Sequence, residues 1–348
     1  MKTVATALLF VALAPAVTGC AARQRFLDRI NAAKAPPPAA AIPGLPATGA
    51  KAGQVYAGAL PPPDGVDGVG PAAPAPPAMQ FLYGSGEAAA LSYQAFFGLA
   101  NYIISMASDR AVGHDLRSVV MSPGSTLDAP IFEPCGDKPL AVVLDIDETA
   151  VLNLGFEADA ASGVPYDQAR WDAWERTGGG DVTAVPGALD MVKAAKAENV
   201  AVVFNSNRST VNADKTAAML AGLGFAPVVH GDTLWLQGDA ASTGSGKDAR
   251  RWAIAKKYCV IAMAGDQLGD FTDLFNASAQ AFEARRASVG GRYTSVLWGH
   301  GWFILPNPVY GSALKGAMGE VFPLDKRWTP PAAGSPATTA PAPEIKEK

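Results

Sequence analysis

The sequence predicts an α/β fold: a Rossmann-like central parallel sheet with helices on both faces and a small helical insert. Three observations lead there. Short uncharged runs rich in Val, Leu and Ala alternate with segments of helical spacing. The runs lack the apolar–polar alternation of a half-exposed strand, so each reads as buried on both faces. Polar residues follow directly after several of the runs, at the strand ends where open α/β sheets bind ligands.

From the N-terminus, residues 1–19 read as an export signal. Lys2 supplies the positive region, and Val4 to Val17, interrupted by Pro15, is too short to span a bilayer. Val17-Thr18-Gly19-Cys20 resembles a bacterial lipobox, so acylation of Cys20 and a membrane anchor are expected. Ala21 rather than Asp at the next position favours, by resemblance to known lipoproteins, the outer membrane, facing periplasm or cell surface. Residues 20–78 are rich in Ala, Pro and Gly, the composition of a tether. The folded domain is expected over 79–328, with a similar tail over 329–348.

The domain opens with the uncharged stretch from Ala88 to Ala107. Ser92, Gln94, Asn101 and Ser105 argue against a membrane span, and Leu91, Ala95, Leu99, Tyr102, Ile103 and Met106 follow helical spacing. Buried strands are expected at Pro139–Leu144, Val200–Phe204, Pro227–His230, Cys259–Ala264 and Phe303–Leu305. Helices are expected at Gly187–Ala197, Asp214–Leu223 and Asp248–Lys257.

The net charge is −4, and the 28 Lys and Arg residues are spread along the chain. No basic stripe or aromatic-interleaved patch exists to bind a nucleic-acid polymer. His114, His230 and His300 lack metal-ligand spacing and read as incidental.

Polar groups follow three of the buried runs. Asp145-Ile146-Asp147-Glu148-Thr149 and Asn153 come after the first, and Asn205-Ser206-Asn207-Arg208 after the second. Gly265-Asp266-Gln267-Leu268-Gly269-Asp270 comes after a later one, and Lys247 lies between the last two. Asp145 and Asp147 would share a face on a continuing strand, whereas a turn after Asp145 would let both address one substrate. The residue types suit phosphoryl transfer. Asp145 could attack phosphorus, and Asp147 could protonate the leaving oxygen and later activate water. Asp145 and Asp266, with a backbone carbonyl near Asp147, offer the oxygen ligands that Mg²⁺ prefers. Ser206 and Asn207 can donate to phosphate oxygens, and Lys247 can neutralise nucleophile and phosphate together.

Taken together, these motifs resemble the haloacid-dehalogenase (HAD) superfamily, and more closely the class C bacterial acid phosphatases, surface-lipoprotein 5′-nucleotidases of subfamily IIIB. Ala90-Leu91-Ser92-Tyr93-Gln94-Ala95-Phe96, Trp171-Asp172-Ala173-Trp174 and Pro306-Asn307-Pro308-Val309-Tyr310-Gly311 extend the resemblance over Phe81 to Tyr310. Gln267 stands where that family usually has Asn.

The resemblance implies that Asp145 is the nucleophile and a Mg²⁺ ligand. Asp147 is then the acid/base and gives its carbonyl to the metal, Asp266 is the third ligand, and Asp270 orients metal-bound water. It implies that Ser206, Asn207 and Lys247 hold the phosphoryl group. Tyr310, Trp171 and Trp174 are its candidates for stacking on a nucleobase. The substrate it implies is a small phosphomonoester, a nucleoside 5′-monophosphate, and a homodimer stays open. It also makes the strands near Cys135 and Cys259 parallel neighbours, which permits a disulfide. A phosphotransferase and a non-catalytic envelope lipoprotein are the alternatives.

Overall fold

A computed structural model describes residues 74–241, 244–277 and 281–330. The export signal, Cys20, nearly all of the tether and the tail beyond residue 330 lie outside the described residues.

Five parallel strands form the core sheet, in the order β7–β6–β3–β8–β9. They are β3 (Leu140–Leu144), β6 (Ala201–Ser209), β7 (Leu234–Gln237), β8 (Cys259–Gly265) and β9 (Trp302–Ile304). The uncharged run of β3 is explained by its two covered faces. Leu140, Val142 and Leu144 join one apolar cluster, and Ala141 and Val143 join the other. Helix α1 (Gly86–Ala111) and the later helices α4 (Ala188–Ala197) and α5 (Ala213–Leu223) cover the first face with Phe96, Leu99, Ile103, Met191 and Leu220. On the second face, α6 (Asp248–Lys257) contributes Ile254, beside Phe271, Phe275 and Trp302.

α1 is a core helix, as its spacing predicts. Ser85 caps it by accepting from the Ala88 amide at 3.1 Å. Its buried stripe is Ala88, Ser92, Phe96, Leu99, Ala100 and Ile103. Leu91, expected on that stripe, flanks it and is exposed. No helix among the described residues is long and apolar enough to cross a membrane.

Three strands differ from expectation. Pro227–His230 forms no strand; a turn follows at Gly231–Thr233, where the Val229 carbonyl accepts from the amides of Asp232, Thr233 and Leu234. The chain enters the sheet only at Leu234, where Leu234 and Leu236 point inward. β6 continues to Ser209, five residues past its expected end, because polar Ser206 and Arg208 are themselves buried. The last strand lies one residue earlier than expected, at Trp302–Ile304.

β8 carries a bulge against β3. Ala141 faces Val260 and Val142 faces Ala262, so Ile261 is an extra residue. Ile261 and Ala262 both point to the first cluster, and Met263 returns to the second.

Two small antiparallel pairs complete the fold. β1 (Arg117–Met121) pairs with β2 (Phe132–Pro134), and β4 (Val151–Leu152) with β5 (Thr183–Ala184). The second pair brackets the helical insert, α2 (Leu154–Ala160) and α3 (Gln168–Thr177). Cys135 and Cys259 form a disulfide across 124 residues, with Cα atoms 5.0 Å apart. Phe282–Val289 forms the last long helix, α7.

Candidate active site

Each strand end supplies one part of the site. Asp145 still pairs with the sheet, donating its amide to the Ala264 carbonyl at 3.0 Å. The chain then turns tightly through Ile146 to Ala150, so the turn reading of Asp145 and Asp147 holds. Asp145, Asp147, Asn207, Lys247, Asp266 and Asp270 line one cavity of about 750 Å³, open to solvent.

Lys247 sits at the entrance to α6. Asp273 accepts from the amides of Lys247 and Asp248, both at 2.9 Å, which fixes the start of that helix. The Lys247 ammonium lies 2.6 Å from Asp145 Oδ1 and 2.7 Å from Asp270 Oδ1. Gly265 makes this packing feasible, since a Cβ there would lie 2.2 Å from Asp270 Cβ.

Asp145, Asp266 and Asp270 offer carboxylate oxygens within 4.8 Å of one another. Burial pushes the Asp145 carboxyl well above the ordinary range; Lys247 pulls it back, and Asp270, Asp266 and Asp147 push it further up. Burial and the charge of Asp270 push Asp266 to about 7, against the hydrogen bonds of Asn307 and Gln267. Burial opposes the charged form of Lys247, but Asp145 and Asp270 outweigh it and the net shift is upward. Asp145 and Asp270 thus share one ammonium, and Asp266 adds a third carboxylate beside them. An all-oxygen cluster with that excess of negative charge fits a divalent cation. The cluster includes the Asp270 carboxylate but not that of Asp147, which is turned to other partners.

The Asp147 carboxylate meets Arg208 instead. Arg208 Nη2 and Nε donate to its Oδ1 at 2.7 and 3.0 Å, and Asn153 Nδ2 donates to the same oxygen at 3.0 Å. Ser206 has no exposed surface and lies outside the cavity wall; its hydroxyl donates to Asp147 Oδ2 at 3.4 Å. Asn207 does face the cavity. Its Oδ1 accepts from Arg250 Nη2 at 2.6 Å and its Nδ2 donates to the Ser245 carbonyl at 3.0 Å.

The three aromatic candidates separate. Trp171 lines the cavity. Tyr310 also lines it, but its hydroxyl turns inward and donates to Glu148. Trp174 does not line it. Its indole N–H donates to Asn153 Oδ1 at 3.1 Å, and its ring lies over Gly178, where a Cβ would come within 2.0 Å. Trp174 is therefore a framework residue, not a stacking one. Phe156 and Tyr166, which sequence reasoning did not single out, line the same wall.

The roles of other motif residues emerge only in three dimensions. Glu148 is fully buried and accepts from Tyr83 Oη at 3.2 Å, the Asn153 amide at 3.0 Å and Tyr310. Burial and the charge of Asp147 push it to about 8. Asn307 Nδ2 donates to Asp266 Oδ2 at 2.7 Å. Gln267 reaches that oxygen at 3.0 Å and also the Tyr310 carbonyl at 3.3 Å, so its extra methylene still serves the acidic cluster. The histidines stay apart: His114 pairs with Asp109 and His230 with Asp239, on the surface.

The family model described as HAD superfamily, subfamily IIIB (acid phosphatase) matches residues 100–313, more than half of the chain. No curated protein matches it. Among solved structures, it is similar to the class C acid phosphatase from Bacillus anthracis, with a TM-score of 0.50 at 25% identity over 68% of this chain and 84% of that one. A structure of the class C acid phosphatase from Bacillus anthracis with tungstate bound gives 0.51 at 24% identity, over 74% and 90%. That second likeness speaks to the fold alone. Motifs, sheet topology and the family match agree: the chain belongs to the subfamily IIIB acid phosphatases of the HAD superfamily and is a phosphomonoesterase.

Proposed function

We propose that the protein is a Mg²⁺-dependent acid phosphatase that hydrolyses phosphomonoesters, nucleoside 5′-monophosphates among them, through an aspartyl-phosphate on Asp145. The observation that carries this is Asp145 at a sheet edge, 2.6 Å from the Lys247 ammonium and clustered with Asp266 and Asp270 on the cavity wall.

An Asp145 oxygen attacks phosphorus while the bond to the leaving oxygen breaks, and Asp147 gives that oxygen a proton. A water then attacks phosphorus and passes its proton to Asp147. The Asp145–phosphorus linkage breaks and inorganic phosphate leaves. Lys247 and Asn207 bind the phosphoryl oxygens, and Ser206 serves from behind by bonding Asp147. Asp145 and Asp266, with the Asp147 carbonyl, would hold Mg²⁺, and Asp270 braces Lys247 and the cluster. Bound there, Mg²⁺ supplies the positive charge that lets an anionic nucleophile approach an anionic phosphate. Phe156, Tyr166, Trp171 and Tyr310 support an aromatic leaving group such as a nucleoside, since stacking is worth about 1–3 kcal/mol per base.

The deciding assay is p-nitrophenyl phosphate hydrolysis at mildly acidic pH with Mg²⁺, for the parent and Asp145→Asn. The expected loss in kcat is about 10⁴-fold or more, as for removal of other enzymic nucleophiles, and EDTA should abolish parental turnover. An inert parent that is folded and metal-loaded would overturn the reading. Lipidation at Cys20 and outer-membrane residence rest on residues 17–20; palmitate labelling lost in Cys20→Ser would support the anchor.

A further inference from the structure

Arg208 is a buried cation that the scheme above does not use. It is 3% exposed and lies on the face of β6 that carries Ser206. A buried guanidinium is costly unless its donors are filled. Here Nε and Nη2 both reach Asp147 Oδ1, and Nη2 also donates to Asn153 Oδ1 at 2.9 Å. The ring of Trp171 covers the guanidinium, its centroid 5.6 Å away.

Asn153 completes the arrangement. Its Nδ2 donates to Asp147 Oδ1 and to Glu148 Oε1, and its Oδ1 accepts from Arg208 and from Trp174 Nε1. An amide with donors and acceptor all engaged has one orientation, since a flip would turn N–H groups on N–H groups. The two carboxylate oxygens of Asp147 are therefore unequal. Oδ1 receives three short hydrogen bonds, at 2.7, 3.0 and 3.0 Å. Oδ2 has only long contacts, 3.3 Å from Arg208 Nε and 3.4 Å from Ser206.

We propose that Arg208, braced by Asn153 and Trp174, is a positioning residue that clamps Asp147 by Oδ1 and presents Oδ2 to the leaving-group oxygen. The inference rests on Asp147 being the acid/base. As the bond from phosphorus to the leaving oxygen breaks, its electron pair takes the proton from Asp147 Oδ2. Asp145 forms the new bond to phosphorus in the same step. A clamp of this kind matters only when the leaving group needs the proton.

The test compares kcat/KM, which reports the steps through leaving-group departure, for two substrates with the full chain and Mg²⁺. p-Nitrophenyl phosphate has a leaving group that departs unaided, and ethyl phosphate has one that must be protonated. Arg208→Lys keeps the charge and loses the fork. It should lower kcat/KM about 10- to 100-fold for ethyl phosphate and less than about 3-fold for p-nitrophenyl phosphate, within the range of acid catalysis. Trp174→Phe keeps a ring, removes one N–H, and should show the same selectivity at about 3- to 10-fold, as a small misplacement does. Asp147→Asn should show it most strongly. If Asp147→Asn is selective but the other two lower both substrates equally or neither, the clamp is overturned and the acid role stands. If Asp147→Asn itself is unselective, the acid role falls, and the clamp with it. Circular dichroism melting checks folding, and should Arg208→Lys not fold, Trp174→Phe decides.

Discussion

The two edges of the parallel sheet are built from opposite chemistries. At the N-terminal edge, Cys135 and Cys259 are joined among Leu140, Ile103 and Val200, in one apolar cluster. At the C-terminal edge, Asp145, Asp147, Asp266 and Asp270 crowd together with Lys247 and Arg208 between them. One edge is covalent and apolar, and the other is charged and repels itself. The fold gains its stability far from the atoms that react, which lets the reacting edge stay electrostatically unfavourable until a cation and a substrate arrive.

That contrast can be broken or sharpened in four ways. Reduction of the disulfide should cost the most stability, about 4–5 kcal/mol for a loop of this length. It should lower the melting temperature by roughly 10 °C yet leave kcat unchanged while the chain is folded. Loss of kcat in step with reduction would show that the edges are coupled. Lys247→Met leaves Asp145 and Asp270 without their shared cation and should destabilise the metal-free protein by about 3–5 kcal/mol. Added Mg²⁺ should then raise the variant's melting temperature more than the parent's, and an equal rise would show that the cation does not take over the role of the ammonium.

At the cavity wall the effects shrink. Tyr166 is exposed, so Tyr166→Ala should raise KM for a nucleoside monophosphate about 5-fold, near 1 kcal/mol, and spare ethyl phosphate. The smallest effect concerns Glu157, which burial and the charge of Asp147 push from 4.5 to about 7. Its folded value is the higher one, so its contribution to stability is full below the unfolded value and is lost as pH rises through the folded one. Melting of the metal-free protein should weaken between pH 4.5 and 7, and Glu157→Gln should flatten part of that slope.

The reacting edge was more legible in the sequence than the wall that faces it. Asp145, Lys247, Asp266 and Asp270 follow or flank buried runs, and a parallel sheet brings such positions together whatever the side chains between them do. Arg208–Asn153 and Arg250–Asn207 join residues 55 and 43 apart, and Tyr83–Glu148 joins residues 65 apart. No local periodicity encodes those meetings. Trp174 illustrates the limit: the resemblance makes it and Trp171 both stacking candidates, yet one lines the cavity and the other ties α3 to Asn153. The Pro227–His230 segment shows a local error, where Val228 and Val229 carry strand propensity but the Val229 carbonyl is used in a turn.

The extra residue at Ile261 acts as a phase adjuster for the whole edge. Upstream of it, the register of β8 with β3 suits the disulfide end; downstream, the shifted register carries Asp266 to the level of Asp145, as the acidic cluster requires. A chain lacking that residue would draw Asp266 one rung down the ladder, about 3.3 Å, away from Asp145. The parity of residues between Cys259 and Asp266 is thus under constraint, and length changes in this strand should be far rarer among relatives than changes of side chain.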